Sequence, residues 1–296
     1  MLLPLLLAPT LLMAAPVEPR LMTWADLAKR KHPAASATIA YGDDAMQKVD
    51  LWLPRGKGPF PVVVMVHGGC WQTKIADRRL MDWIADDLRK DGIAVWNIDY
   101  RGVDRAGGGY PGTFADAAAA TDQLATVAAR YRLDTSRVVA VGHSAGGHLA
   151  LWLAGRPRLP ATSPLRRTDP LKIAHVVSLG GLPDLADTAA SADNGCGTEV
   201  VAKLVGTGRA DPYADTSVPR LLPLGLPQDL VNGREDKIIP FRMATAYVAA
   251  ATTAGDTATL HEVAKTGHVE LVVPESAAWA TTKRLIRAAF AGKRTA

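Results

Sequence analysis

Apolar positions along the chain follow two rhythms. Continuous apolar runs rich in Val and Ile occur at 61–67, 93–99, 138–141 and 173–179. Runs of this kind read as strands buried on both faces. Two earlier runs, 38–41 and 48–54, alternate apolar and polar, with Gly42-Asp43-Asp44 between them as a turn, and 228–232 and 259–263 complete the set of strands. Helical spacing fills the intervals. Residues 78–90 place Leu80, Met81, Ile84 and Leu88 on one face and stop at Gly92, and 113–131 is Ala-rich, with Thr113 as N-cap and Asp116 in its first turn. Further helices are predicted at 22–29, from His148 to Leu153, at 242–254 and at 277–291. Strands alternating with helices predict an α/β fold with a mostly parallel central sheet covered by helices on both faces. Residues 182–227 break the pattern, holding only a short helix near 199–205, and read as a small lid-like insert that shapes a substrate pocket. No repeat or linker divides the chain, so 38–296 reads as one domain carrying that insert.

The first fifteen residues are apolar without a charged side chain and end in Ala14-Ala15 before Pro16. The run is too short to span a bilayer and reads as a signal peptide. It predicts a secreted or periplasmic protein, or a cytoplasmic one if the segment is not cleaved. A hydrophobic content of 48% and a charged content of 21% are ordinary for a globular enzyme. The net charge of +5 is dispersed. Its densest stretch, from Arg156 to Arg167, is interrupted by prolines and has no interleaved aromatics, so it reads as a solvated loop and not as a nucleic-acid surface. Cys70 and Cys196 can form one disulfide in an exported protein or stand as two free thiols, and their spacing is not that of a metal site.

The segment Gly142-His143-Ser144-Ala145-Gly146 lies between a valine-rich strand and a helix. Gly-x-Ser-x-Gly in that setting is a nucleophile elbow, a tight turn that raises the serine hydroxyl above the sheet. The competing reading is a glycine-rich loop with Ser144 as a helix cap. A nucleophilic serine needs a base, a carboxylate to orient it, and N–H donors for the oxyanion. Of the seven histidines, His32 precedes the sheet, His175 and His261 lie inside strands, and His143 and His148 flank the serine with their side chains directed elsewhere. His268, in a loop after the last strand, is the candidate base. Asp236, after the strand ending at Asn232, is the candidate acid, ahead of Glu235 and Asp184. The loop His67-Gly68-Gly69-Cys70-Trp71 follows a buried strand. Its Gly69 or Cys70 N–H, with that of Ala145, is expected to hold the oxyanion, while His67 braces the loop and Trp71 contacts substrate.

Four motifs in this order, His-Gly-Gly-x-Trp at 67–71, Gly-His-Ser-Ala-Gly at 142–146, Gly-Arg-Glu-Asp with a following Pro at 233–240, and Gly-His at 267–268, resemble the α/β-hydrolase superfamily. Within it the chain is similar to the esterase/lipase group with a His-Gly-Gly loop, and to its kynurenine formamidase-like and feruloyl-esterase-like branch. The resemblance covers about residues 48–290 and implies the α/β-hydrolase fold with Ser144, Asp236 and His268 in the roles above. Cys70 stands where a third glycine is common in the hormone-sensitive-lipase pattern.

These observations predict a serine hydrolase that cleaves carboxylic esters through an acyl-enzyme, with no metal or cofactor and a small acyl ester or amide as substrate. An arylformamidase using the same three residues is the alternative, disfavoured by the export signal. A hydrolase-fold binding protein without catalysis is the third reading. Neither nucleic acid nor stable membrane insertion is expected, and acyl length, leaving group and oligomeric state stay open.

Overall fold

The computed structural model describes residues 20–292, so the signal-like segment at 1–15 lies outside the described residues. Within them strands and helices alternate: α1 (Trp24–Ala28), β1 (Ala37–Ala40), β2 (Lys48–Trp52), β3 (Phe60–Val66), α2 (Asp82–Lys90), β4 (Ala94–Ile98), α3 (Gly112–Tyr131), β5 (Leu133–His143), α4 (Ala145–Gly155), β6 (Ile173–Leu179), α5 (Leu185–Ala190), α6 (Glu199–Val205), β7 (Gln228–Gly233), α7 (Phe241–Thr253), β8 (Ala258–Val263) and α8 (Ala277–Ala291). The strands form one sheet in the order β1-β2-β4-β3-β5-β6-β7-β8. β2 is antiparallel to both β1 and β4, and every pairing from β4 through to β8 is parallel.

The unbroken apolar runs follow from burial on both sides. In β3, Val62, Val64 and Val66 face one core, while Val63 and Met65 face the other; β5 divides Val138 and Ala140 from Val139 and Val141 in the same way. Each such side chain contributes about 1.5–3 kcal/mol by leaving water, so neither face tolerates a polar alternate. The first core is closed by Phe114 of α3, Leu149 of α4 and Tyr247 of α7. The second is closed by Ile84 and Leu88 of α2, Trp279 and Ile286 of α8, and Leu27 of α1. Among the described residues no helix is long and apolar enough to cross a membrane.

Local chemistry moved several expected features. The 78–90 helix opens as a 3₁₀ turn at Arg78–Met81, where the Asp77 carboxylate accepts the Arg79 N–H, before α2 begins. Thr113 is not the N-cap of α3, which starts at Gly112; its hydroxyl donates instead to the Arg101 carbonyl at 2.6 Å, and Asp116 binds the Arg101 guanidinium at 2.7 and 2.8 Å. Arg156 is not solvated. It is buried and pairs bidentately with Asp122 at 2.8 and 2.7 Å, since a desolvated guanidinium needs a partner. Residues 182–227 hold α5 as well as α6.

The insert is tied to α4 from beneath. Trp152 donates its indole N–H to the Asp215 carbonyl at 2.8 Å, and His148 donates from Nε2 to the Thr216 carbonyl at 2.8 Å. His148 Nδ1 accepts the indole N–H of Trp71 at 3.3 Å, so both ring nitrogens are used and the ring is neutral. Burial pulls its pKa down from 6.5 to about 4. An unfolded chain takes up a proton near pH 6.5 and the folded one does not, so folding loses stability progressively as pH falls from 6.5 to about 4. Thermal unfolding across that window is expected to show a decline that is shallower in His148→Gln; equal slopes would refute the assignment.

Candidate active site

The site forms at the carboxyl edge of the parallel strands, where loops after β3, β5, β7 and β8 meet. Ser144 occupies the single residue between β5 and α4, with φ 55° and ψ −123°. A side chain in this region costs on the order of 1–3 kcal/mol, so the surroundings must impose it. They do so through the Ser144 N–H, which donates to the Leu179 carbonyl at 2.8 Å, and through Gly146. A Cβ on Gly146 would lie 2.2 Å from the Val66 carbonyl oxygen and 2.4 Å from that of His67, so only glycine lets α4 start this close to the end of β3. The Ser144 side chain makes no capping hydrogen bond to α4, which removes the helix-cap reading.

His268 and Asp236 come together as a buried pair, Nδ1 to Oδ2 at 2.6 Å, with side chains 3% and 1% exposed. The other Asp236 oxygen accepts the N–H groups of Ile238 and Ile239 at 2.8 and 2.9 Å, which fixes the carboxylate in its turn. Gly180, at φ 55°, makes room for the pair: a Cβ there would stand 3.2 Å from His268 Nδ1 and 3.3 Å from Asp236 Oδ2. The rival carboxylates are engaged elsewhere. Glu235 accepts the Thr266 N–H at 3.0 Å, and Asp184 caps α5 through the N–H groups of Ala186 and Asp187.

The loop after β3 is braced as expected. His67 bonds Asp99 through Nε2 at 2.9 Å and stacks on Tyr100 at 4.4 Å, and Arg78 holds the second Asp99 oxygen at 2.9 Å. Among the described residues no acceptor takes the N–H of Gly69 or Cys70, and the N–H of Ala145 is one of the donors that a helix leaves unpaired in its first turn. Cys70 itself has φ 51° and is joined to Cys196 by a disulfide, with a Cα–Cα separation of 5.3 Å. The bridge fastens the loop to the insert, whose Gly195 donates its N–H to the Ile238 carbonyl beside Asp236.

Trp71 does not contact the cavity. It is fully buried in the first core with its N–H on His148, because φ 53° turns its side chain beneath the loop. Two residues that sequence reasoning passed over stand at the site instead. His143 is not directed away: its Nε2 donates to the His268 carbonyl at 3.2 Å and the two rings lie 4.4 Å apart. Burial, followed by the neighbouring His268, pushes its pKa well down, so it sits as a neutral ring against His268. Trp24 of α1 meets both histidines edge-on, at 6.0 Å from His143 and 6.2 Å from His268. Its position before the sheet gave no signal of this. Ser144, His268, His143, Gly69, Cys70, Gly195, Ile238 and Trp24 line one cavity of about 400 Å³, together with Ile75, Ala76 and Leu80.

Strand order and elbow define the class, an α/β-hydrolase. A model of the BD-FAE family matches residues 49–249, and the chain belongs to that family, an esterase-type family of this fold. A curated relative, "Probable isoprenylcysteine alpha-carbonyl methylesterase ICMEL1" of Arabidopsis thaliana, is 33% identical over 119 residues. That match covers 40% of this chain and 24% of the relative, so the chain spans about a quarter of the relative's length. Among solved structures, a truncated carbohydrate esterase from gut microbiota superposes with a TM-score of 0.73 at 20% identity, covering 88% of this chain and 100% of that one. Esterase B of Lactobacillus rhamnosis gives 0.72 at 19% identity, covering 90% and 92%. At these identities the structural likenesses bear on the fold alone.

The disulfide closes a stretch with a sequence separation of 126 and is worth up to about 5 kcal/mol through the unfolded chain. Denaturant unfolding of Cys70→Ser/Cys196→Ser is expected to show a clearly lower midpoint than the oxidised protein, matched by the reduced wild type. Coincident midpoints for oxidised and serine forms would show that the bridge contributes nothing.

Proposed function

We propose that the protein is a serine carboxylic ester hydrolase with Ser144 as nucleophile, His268 as base and Asp236 as the orienting acid. The observation that carries this reading is the uncapped Ser144 hydroxyl in a strained elbow, lining the same cavity as a histidine whose far nitrogen is held by a buried carboxylate. Asp236 accepts a hydrogen bond from the Nδ1–H of His268, which fixes the tautomer and leaves Nε2 as the basic nitrogen for the serine. As Ser144 attacks the acyl carbonyl, its proton passes to His268 and the new oxyanion is received by the N–H groups of Gly69 or Cys70 and Ala145. Such donors are each worth about 3–4 kcal/mol in the transition state. Collapse transfers the proton from His268 to the leaving alcohol and leaves an acyl-Ser144 ester. Water, deprotonated by the same histidine, then releases the acid.

The cavity supports an uncharged acyl group, since none of its lining residues is Asp, Glu, Lys or Arg. The methylesterase name of the curated relative, and the tributyrin phosphonate bound to esterase B of Lactobacillus rhamnosis, agree with a simple carboxylic ester as the bond cleaved. We place the protein outside the cytoplasm on two features, the signal-like residues 1–15 and a disulfide of the kind that persists in oxidising compartments.

Ser144→Ala is expected to lower kcat on p-nitrophenyl butyrate by about 10⁶-fold and Asp236→Asn by about 10⁴-fold, with unfolding midpoints near that of the wild type. Wild-type turnover by Ser144→Ala would overturn the mechanism. For localisation, intact-mass analysis of protein recovered from the exported fraction is expected to give a chain starting at Pro16. Recovery of full-length chain solely from cytosol would contradict export.

A further inference from the structure

Among the described residues, the large hydrophobic side chains most exposed to solvent are Trp24 at 41%, Ile75 at 54% and Ile238 at 36%, and all three line the Ser144 cavity. Exposed apolar area is ordinary when scattered, but a cluster at one cavity marks a surface that a ligand covers. Trp24, Ile75, Ala76 and Leu80 also line a second, more open cavity of about 370 Å³, so these four form a ridge common to both. Beyond the ridge, the second cavity is lined by His32 and Trp83, whose rings lie 4.3 Å apart, and at its rim by Lys74, Asp77 and Arg79.

Resting on the proposed ester chemistry, we infer that Trp24 and this ridge form the leaving-group subsite, and that it takes a bulky or aromatic alcohol. The direction follows from the proton path. The oxygen that leaves must receive its proton from His268, so the alcohol departs from the carbonyl along the His268 side of the cavity. Trp24 is the exposed ring that stands against that histidine, T-shaped to His268 at 6.2 Å and to His143 at 6.0 Å. The indole presents an apolar face next to the point of departure, and the ridge leads the rest of the alcohol toward His32 and Trp83. The acyl part keeps the wall made by Gly69, Cys70, Gly195 and Ile238. Trp24 is therefore a specificity-determining residue, and it is supplied by a short helix that is not part of the sheet. That helix is held in place by a Thr23/Asp26 capping box and by Glu270, which accepts the Met22 N–H.

The test crosses two ester series on the purified protein: butyrates of methanol, butanol and benzyl alcohol, and methyl esters of acetic, butyric and hexanoic acids. In Trp24→Ala the ratio of kcat/KM for benzyl over methyl butyrate is expected to fall about five- to tenfold, the range of one aromatic contact, and Trp24→Phe to recover most of it. The acyl-length profile is expected to keep its shape, because every ester of that series carries the same small methoxy group and leaves the ridge unfilled. Ile75→Ala, at a more exposed position, is expected to shift the alcohol ratio in the same direction and serves if Trp24→Ala does not fold. An unchanged benzyl-to-methyl ratio, or a change confined to the acyl series and the deacylation rate, would overturn the assignment. Hydrolysis independent of Ser144 would instead fault the proposed mechanism, and it is scored separately with Ser144→Ala on the same esters.

Discussion

The site depends on how closely the first turn of α4 presses against the end of β3. Gly146 stands so near the Val66 and His67 carbonyls that no Cβ fits, and the same contact holds Ser144 in a backbone conformation a serine would not choose. Because the pressing partner is the strand that leads into the 67–71 loop, one close approach sets both the hydroxyl and the N–H groups facing it. A Cβ on Gly68 would likewise lie 2.9 Å from the Ser144 Cβ. Ser144 and the 67–71 loop are thus positioned by packing between two rigid elements.

Around this contact lies a mostly apolar cavity with no Asp, Glu, Lys or Arg in its lining. His143 and His148 are both buried, and burial lowers the pKa of each, while His268 is paired with Asp236 and His67 with Asp99. In such surroundings a developing charge interacts with fixed N–H dipoles far more strongly than it would in water. The insert contributes by closing the wall at Gly195 and anchoring the Cys70 end of the loop, and is itself anchored on α4 through Trp152 and His148.

Much of this was legible in the chain. Strands buried on two faces leave unbroken Val-rich runs, and helices between them leave a period that cannot be mistaken for a strand, so element order and sheet type could be read directly. The positions of Ser144, Asp236 and His268 at strand ends follow from the same order. What escaped was whatever depends on rotation about a single turn or on contacts distant in sequence. Trp71 is adjacent to the loop, yet a left-handed backbone sends its ring into the core. His143 looked averted because neighbours on a strand point to opposite faces, but the elbow breaks that alternation. Trp24 lies more than a hundred residues from the serine, and only the packing of α1 brings it to His268. Arg156 looked solvated until Asp122 supplied its partner.

The Cys70–Cys196 bond joins residues on either side of the elbow, so Ser144, the loop end at Cys70 and the first part of the insert belong to a single covalent ring. The ring contains α2, α3, α4 and α5 with β4, β5 and β6, while β1 to β3 lie on one arm and β7 and β8 on the other. A protease that cuts any surface loop between residues 70 and 196 opens the ring but releases no fragment.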